Sequence, residues 1–133
     1  MPHIIIEHDI VTGPSGPLDV AALADALHAS AAGMDALPTG GLRTRAHCAD
    51  ISRVGDGAPA NAFCYVTVRL GHGRSDALRR EIGKALFDVL SDWAEPAFKA
   101  ERPLSLGLEV QEIAPGFTFK RNNIHDLLEG SLP

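Results

Sequence analysis

The chain has 133 residues, a length that suits one domain with a real core. Its net charge is −5 at pH 7 and its 12 basic residues are scattered, which argues against nucleic-acid binding, a task that concentrates Lys and Arg on one surface. No apolar run approaches the ~20 residues of a membrane helix, and the N-terminus lacks the cationic stretch and cleavage site of a secretory signal. Two cysteines, Cys48 and Cys64, lie outside any CxxC and do not make a disulfide framework, so a cytoplasmic enzyme or binding protein is expected.

The first element is a strand over His3–Asp9, rich in branched apolar residues that suit burial. A turn cluster, TGPSGP, follows at 12–17. Leu18 to Ala32 reads as a helix with Leu23, Leu27 and Ala31 at four-residue spacing and Gly33 as a C-cap. After a loop over Leu37–Gly41, a second strand runs from Leu42 to Ser52. It places Arg43, Arg45 and His47 on one face and Leu42, Thr44, Ala46 and Cys48 on the other.

Asp56-Gly57 marks a turn, and Ala62 to Leu70 is a third strand with Cys64, Val66, Val68 and Leu70 on one face. Ser75 is an N-cap, and Asp76 behind it suits the positive end of a helix. That helix carries an apolar stripe through Leu78, Ile82, Leu86, Leu90 and Trp93, and Pro103 closes the region. Leu104 to Ile113 is a fourth strand, and His125 to Leu128 a short terminal helix.

This order is a β-α-β unit repeated, at about 2–52 and 62–113, with a tail at 114–133. The reading is one α+β domain over 1–133: a four-stranded mixed sheet with two helices on one face. Two helices leave the other face of such a sheet bare. That face carries Arg43, Arg45, Arg69, Glu109 and Gln111 beside apolar residues, so a homo-oligomer is expected to cover it.

Several familiar chemistries lack their motifs. There is no GxSxG, GxGxxG or Walker sequence, and the six histidines show no metal-ligand spacing such as HExxH. Cys48 and Cys64 occupy apolar strand positions and read as small core residues rather than reactive thiols. What remains is a proline and a set of arginines. Arg74, in the loop before the second helix, is either a solvated turn residue or a clamp for a carboxylate or phosphate. Arg43 and Arg45 either pair with Glu7, Glu109 or Asp50, or face a dianionic ligand.

Pro2 follows Met1 directly. With Met1 attached its nitrogen is an amide; with Met1 removed it is a secondary amine held rigidly by its ring. A free α-amino group titrates near ~8, and nearby cations and an apolar wall both lower that value. An amine poised near ~7 is a good general base for moving a proton at carbon, with guanidinium groups to stabilise a developing dienolate.

PHIIIEH at the start, GGLRTRAH in the middle, GHGRS before the second helix and FKRNNIHDLL at the end resemble the 5-carboxymethyl-2-hydroxymuconate isomerase family. This family belongs to the tautomerase superfamily, with 4-oxalocrotonate tautomerase and macrophage migration inhibitory factor. The second half separately looks like the short tautomerases, with GRS before its helix and VQEIAPGF at its last strand, as a fused duplication leaves behind.

The resemblance implies a cofactor-independent keto-enol isomerase of an unsaturated di- or tricarboxylate from homoprotocatechuate breakdown. Pro2 is then the base once Met1 is removed, and Arg74 binds a substrate carboxylate. Arg43 or Arg45, two residues apart in an open register, polarises the substrate, and Phe117, or Phe119, lines the site. In the second half Ala60-Asn61-Ala62 replaces the proline, and Gly107 stands about where the strand arginine would be. One base per subunit follows, with three sites in a homotrimer built between subunits. The rival expectations are another tautomerase reaction on a small unsaturated acid, or an inactive binding protein of the same fold.

Overall fold

A computed structural model describes residues 1–11 and 18–129; the turn expected at 12–17 lies outside the described residues. The elements in order are β1 (His3–His8), α1 (Val20–Ala32), a 3-10 turn (Thr39–Gly41), β2 (Arg43–Cys48), β3 (Ala62–Gly71), α2 (Asp76–Lys99), β4 (Leu104–Ile113) and α3 (Ile124–Leu128). The sheet order is β2-β1-β3-β4. β1 and β2 are parallel, as are β3 and β4, and the two halves join antiparallel through β1 and β3. This is the expected α+β arrangement with a mixed sheet.

Alternation within the strands decides the core. Ile4 and Ile6 of β1 and Cys64, Val66, Val68 and Leu70 of β3 point to the helix-covered face and are fully buried. Leu23, Leu27 and Ala31 of α1 and Ile82, Leu86 and Leu90 of α2 meet them in one cluster. The two helices are tied where Trp93 Nε1 donates to the carbonyl of Asp19 at 2.8 Å. Asp19 also caps α1, accepting from the backbone N–H of Ala21 at 2.9 Å. Ser75 caps α2 as expected, accepting from Leu78 N–H at 3.1 Å.

Two sequence expectations are corrected. β2 stops at Cys48 rather than Ser52, and Cys48 is exposed rather than in the core. β2 is an edge strand, and only its first half is shielded, so alternation alone overstates burial there. α2 continues to Lys99, passing Pro96. The missing N–H of Pro96 costs one helical bond, but the buried Ala94 and Ala97 on either side hold the last turns on the core. Cys64, in contrast, is a core thiol, and burial pushes its pKa up to about 12.

Among the described residues His8 is the one buried polar or charged side chain, and its Nδ1 accepts from the backbone N–H of Ile10 at 3.1 Å. Burial lowers its pKa below 6.5, against the raising influence of the Asp9 charge. The unfolded imidazole therefore binds a proton that the folded one refuses. Stability is full above the unfolded value and falls as pH drops through the folded one. His3 has the same sign, so the thermal midpoint should drop between pH of about 7.5 and about 5. The drop should shrink, without vanishing, in His8→Gln; an identical profile in the variant would remove His8 as the cause.

Candidate active site

The parallel pairing of β1 and β2 sets His3 beside Arg43 and Ile5 beside Arg45. The backbone N–H of Arg43 also donates to the carbonyl of Pro2 at 3.0 Å, so the residue ahead of β1 is fixed by the ladder. Pro2 itself is fully buried. On the far side of β1, His3 faces Arg69 of β3. One end of the uncovered sheet face thus carries the row Arg43–His3–Arg69, with Arg45 one row behind.

Arg43 Nη1 donates to Met1 Sδ at 3.0 Å and to the carbonyl of Gly41 at 3.2 Å. Arg45 Nη1 lies 3.1 Å from His3 Nδ1. That contact needs His3 neutral and accepting at Nδ1. Burial first, then Arg45, Arg43 and Arg69, hold the imidazole below its ordinary range. The structure therefore separates the two strand arginines: Arg43 reaches Met1, and Arg45 is occupied one row away on His3.

Arg74 reaches the same corner from the loop before α2. Its Nε and Nη2 donate to the carbonyl of Ala36 at 3.2 and 2.7 Å, and Nη1 donates to Gly71 at 3.2 Å. It is not a solvated turn residue. Three of its five donors clamp the turn after α1 to the end of β3, and two remain for a ligand. Glu109, one suggested partner for the arginines, instead accepts from Tyr65 Oη at 2.6 Å and Gln111 Nε2 at 2.7 Å. Among the described residues no ion pair ties Arg43, Arg45 or Arg74.

The chain's amino group reports the combined effect. It is held below its ordinary value of 8.0 by burial first, then by the charges of Lys120, Arg74 and Arg43. Lys120 had no role assigned from sequence. It sits in a tail that turns back to the 3-10 turn: Asn122 Nδ2 donates to the carbonyl of Gly40 at 2.7 Å, and Asn122 Oδ1 accepts from Ile124 N–H at 2.7 Å. The His125 ring then packs so closely on Gly40 that a Cβ there would lie 2.5 Å from Nδ1. At Gly41 a Cβ would lie 3.5 Å from Met1 Cα and 3.6 Å from His125 Nε2. The sequence signal was present in GG and FKRNNIH, but nothing in one-dimensional spacing connects residue 40 with residue 125.

Phe117 stands 81% exposed in the turn after β4, and Phe119 91% exposed. In the single chain neither aromatic is buried against the Pro2 corner. Among the described residues no cluster of His, Cys, Asp or Glu is arranged to hold a metal ion, and no helix is long and apolar enough to cross a membrane.

A buried proline at the start of a central strand stands beside cations in a sheet built from two β-α-β units, and solved structures share this fold. A fused 4-OT protein described as a symmetric trimer matches with a TM-score of 0.54 at 21% identity, over 87% of this chain and 94% of that one. A macrophage migration inhibitory factor from Trichinella spiralis matches with a TM-score of 0.53 at 14% identity, over 89% and 96%. Residues 2–128 match the 5-carboxymethyl-2-hydroxymuconate isomerase family. The 5-carboxymethyl-2-hydroxymuconate Delta-isomerase of Escherichia coli is 31% identical over 130 residues, 97% of this chain and 100% of that protein. A 5-carboxymethyl-2-hydroxymuconate isomerase from Deinococcus radiodurans R1 has a TM-score of 0.84 at 32% identity, over 96% and 93%. The chain belongs to the 5-carboxymethyl-2-hydroxymuconate isomerase family and is an isomerase.

The contact between Gly40 and His125 can be tested directly. Gly40→Ala should push α3 off the 3-10 turn, because the new methyl also meets the His125 backbone at 2.9 Å. The amides of Leu127 and Glu129, bonded within α3, should exchange at least about tenfold faster while β1 amides keep their protection. Unchanged exchange at both would show that the turn accommodates a side chain.

Proposed function

We propose that this isomerase acts on 5-carboxymethyl-2-hydroxymuconate by proton transfer through an amino-terminal Pro2, freed by removal of Met1, as a step in homoprotocatechuate breakdown. The observation that carries the reading is the amino terminus itself. The Met1 amino group is partly buried amid Lys120, Arg74 and Arg43, which lower its pKa, and the Pro2 nitrogen, one residue along and freed when Met1 leaves, would meet the same cations, which disfavour an ammonium. The names of the relatives in Escherichia coli and Deinococcus radiodurans R1 support the substrate.

In this mechanism the lone pair of the Pro2 nitrogen takes the proton of the substrate's 2-hydroxyl. The dienolate charge that develops on the oxygen and along the conjugated carbons is met by a guanidinium donor. Arg43, on the strand beside Pro2, fills that role, with Arg45 behind it fixing His3 and adding positive potential. Arg74 uses its two remaining donors on a carboxylate. The protonated proline then returns its proton to a carbon of the dienolate, which completes the isomerisation and regenerates the base with no cofactor.

A homotrimer completes the site in this reading. The bare sheet face holds four cationic or imidazole side chains at one end with Ile5 half-buried among them, a surface suited to burial against another copy. Phe117, exposed in one chain, then lines a neighbouring subunit's site. The trimeric fused 4-OT protein is a precedent for the assembly.

Intact-mass measurement of protein from cells should give the chain beginning at Pro2, and Pro2→Ala should lose at least about 100-fold in kcat on 5-carboxymethyl-2-hydroxymuconate, followed by ultraviolet absorbance. Fully active protein that retains Met1, or a Pro2→Ala variant with wild-type turnover, would defeat the base assignment. A wild-type preference for smaller 2-hydroxydienoates would favour a different tautomerase reaction.

The base must be unprotonated, so kcat/KM should rise with pH through an acidic limb set by the amine. Removing a neighbouring cation makes the ammonium easier to form, and the limb moves to higher pH. Arg74→Gln should therefore shift the limb upward and raise KM together, because one residue supplies both the charge and the carboxylate contact. A raised KM with an unmoved limb would show that Arg74 binds substrate without acting on the base.

A further inference from the structure

The tail beyond β4 ends its course at the Pro2 corner. Asn122 grips Gly40, two residues after Lys120, and His125 seats on the same glycine. The 3-10 turn under that contact leads directly into Arg43. Lys120 is exposed, and among the described residues no carboxylate forms an ion pair with it. The anchored Gly40 is followed by Gly41, where a Cβ would lie 3.5 Å from Met1 Cα and 3.6 Å from His125 Nε2, so the tail runs beside the chain start, and the Lys120 charge acts on the Met1 amino group ahead of Arg74 and Arg43. The tail is therefore anchored so that a further cation, on a flexible stem, joins the arginines of this corner.

The charge of the proposed substrate is informative. A 2-hydroxymuconate has two carboxylates, and the carboxymethyl arm adds a third. Arg43 and Arg74 are fixed on rigid elements, and Arg43 is the donor for developing charge. The chain's net charge of −5 repels a trianion at long range, so its binding depends on local cations. A lysine on a flexible stem at the edge of the site suits the carboxylate of a flexible arm, where a point charge suffices and a bidentate fork is not needed.

We infer that Lys120 is a specificity-determining residue that binds the carboxylate of the substrate's carboxymethyl arm, and that Asn122 and His125 position it by anchoring the tail on Gly40. This inference rests on the proposed substrate and deepens it: the tail distinguishes tricarboxylates from dicarboxylates with the same reacting dienol.

The test compares two substrates, 5-carboxymethyl-2-hydroxymuconate and 2-hydroxymuconate, with the full chain lacking Met1. Lys120→Met should raise KM for the tricarboxylate about tenfold, the scale of one charge-assisted hydrogen bond, with kcat within about twofold. Assayed above the acidic limb, where loss of the Lys120 charge no longer changes the protonation of the base, the same variant should change kcat/KM on the dicarboxylate less than about threefold, and Lys120→Arg should restore most of the tricarboxylate affinity. Asn122→Ala should weaken the tricarboxylate selectively as well, in the same direction as Lys120→Met. Equal loss on both substrates, or no loss on the tricarboxylate, overturns the inference while leaving the isomerase reading intact. Wild-type protein inert on both substrates sinks the proposed substrate and this inference with it.

Discussion

The pairing of β1 on both of its edges fixes everything else at the site. His3 stands between Arg43 on one side and Arg69 on the other, and Pro2 is tied to Arg43 through its carbonyl. A strand paired on both sides does not fray as a chain end normally does. A terminal nitrogen is a useful base only if it stays where the substrate needs it, and the sheet supplies that restraint at no cost in side chains. Pro2 suits the position because its absent N–H is not needed there: the ladder uses its carbonyl instead.

The same pairing imposes the electrostatic character of the corner. Parallel register puts Arg43 and Arg45 on the uncovered face with His3, while Thr44 turns to the helix side and meets His28 Nδ1 at 2.8 Å. Cations so close together repel one another, and the protein limits that repulsion by spending their donors on uncharged acceptors. Arg74 bonds two carbonyls, Arg43 a carbonyl and a thioether, and Arg45 a neutral imidazole. Pairing each with a carboxylate would have been stronger locally but would have cancelled the positive potential that lowers the pKa of the Met1 amine.

Much of this was legible in one dimension, and the limits have physical causes. Period-two alternation in β1 and β3 and the four-residue stripes of α1 and α2 gave the right core because both strands are central and both helices bury one face. Alternation misled at Cys48 because an edge strand has less to be buried against. Arg43 and Arg45 could not be told apart by spacing, since both share a face; their separate partners, Met1 and His3, are set by register. Lys120, Asn122 and His125 escaped because their relevance depends on a contact across 82 residues, between Asn122 and Gly40.

The second half explains why one chain carries one such corner. Matching the inward residues Ile4 and Cys64 aligns Arg43 with Ser105 and Arg45 with Gly107. At Gly107 a Cβ would fall 2.5 Å from Tyr65 Cε1, so the tyrosine ring already fills the space that a side chain there would need. The hydroxyl of that ring is fixed on Glu109, which Gln111 also holds. Placing an arginine at 107 therefore requires moving Tyr65 and freeing Glu109, while Ala62 matches Pro2 in this alignment and its neighbour Asn61 is bound to Val54 and Asp56. The two halves of the sheet differ in kind: a corner of arginines with no ion pair among the described residues at one, and a tyrosine held by its own hydrogen bond to Glu109 at the other.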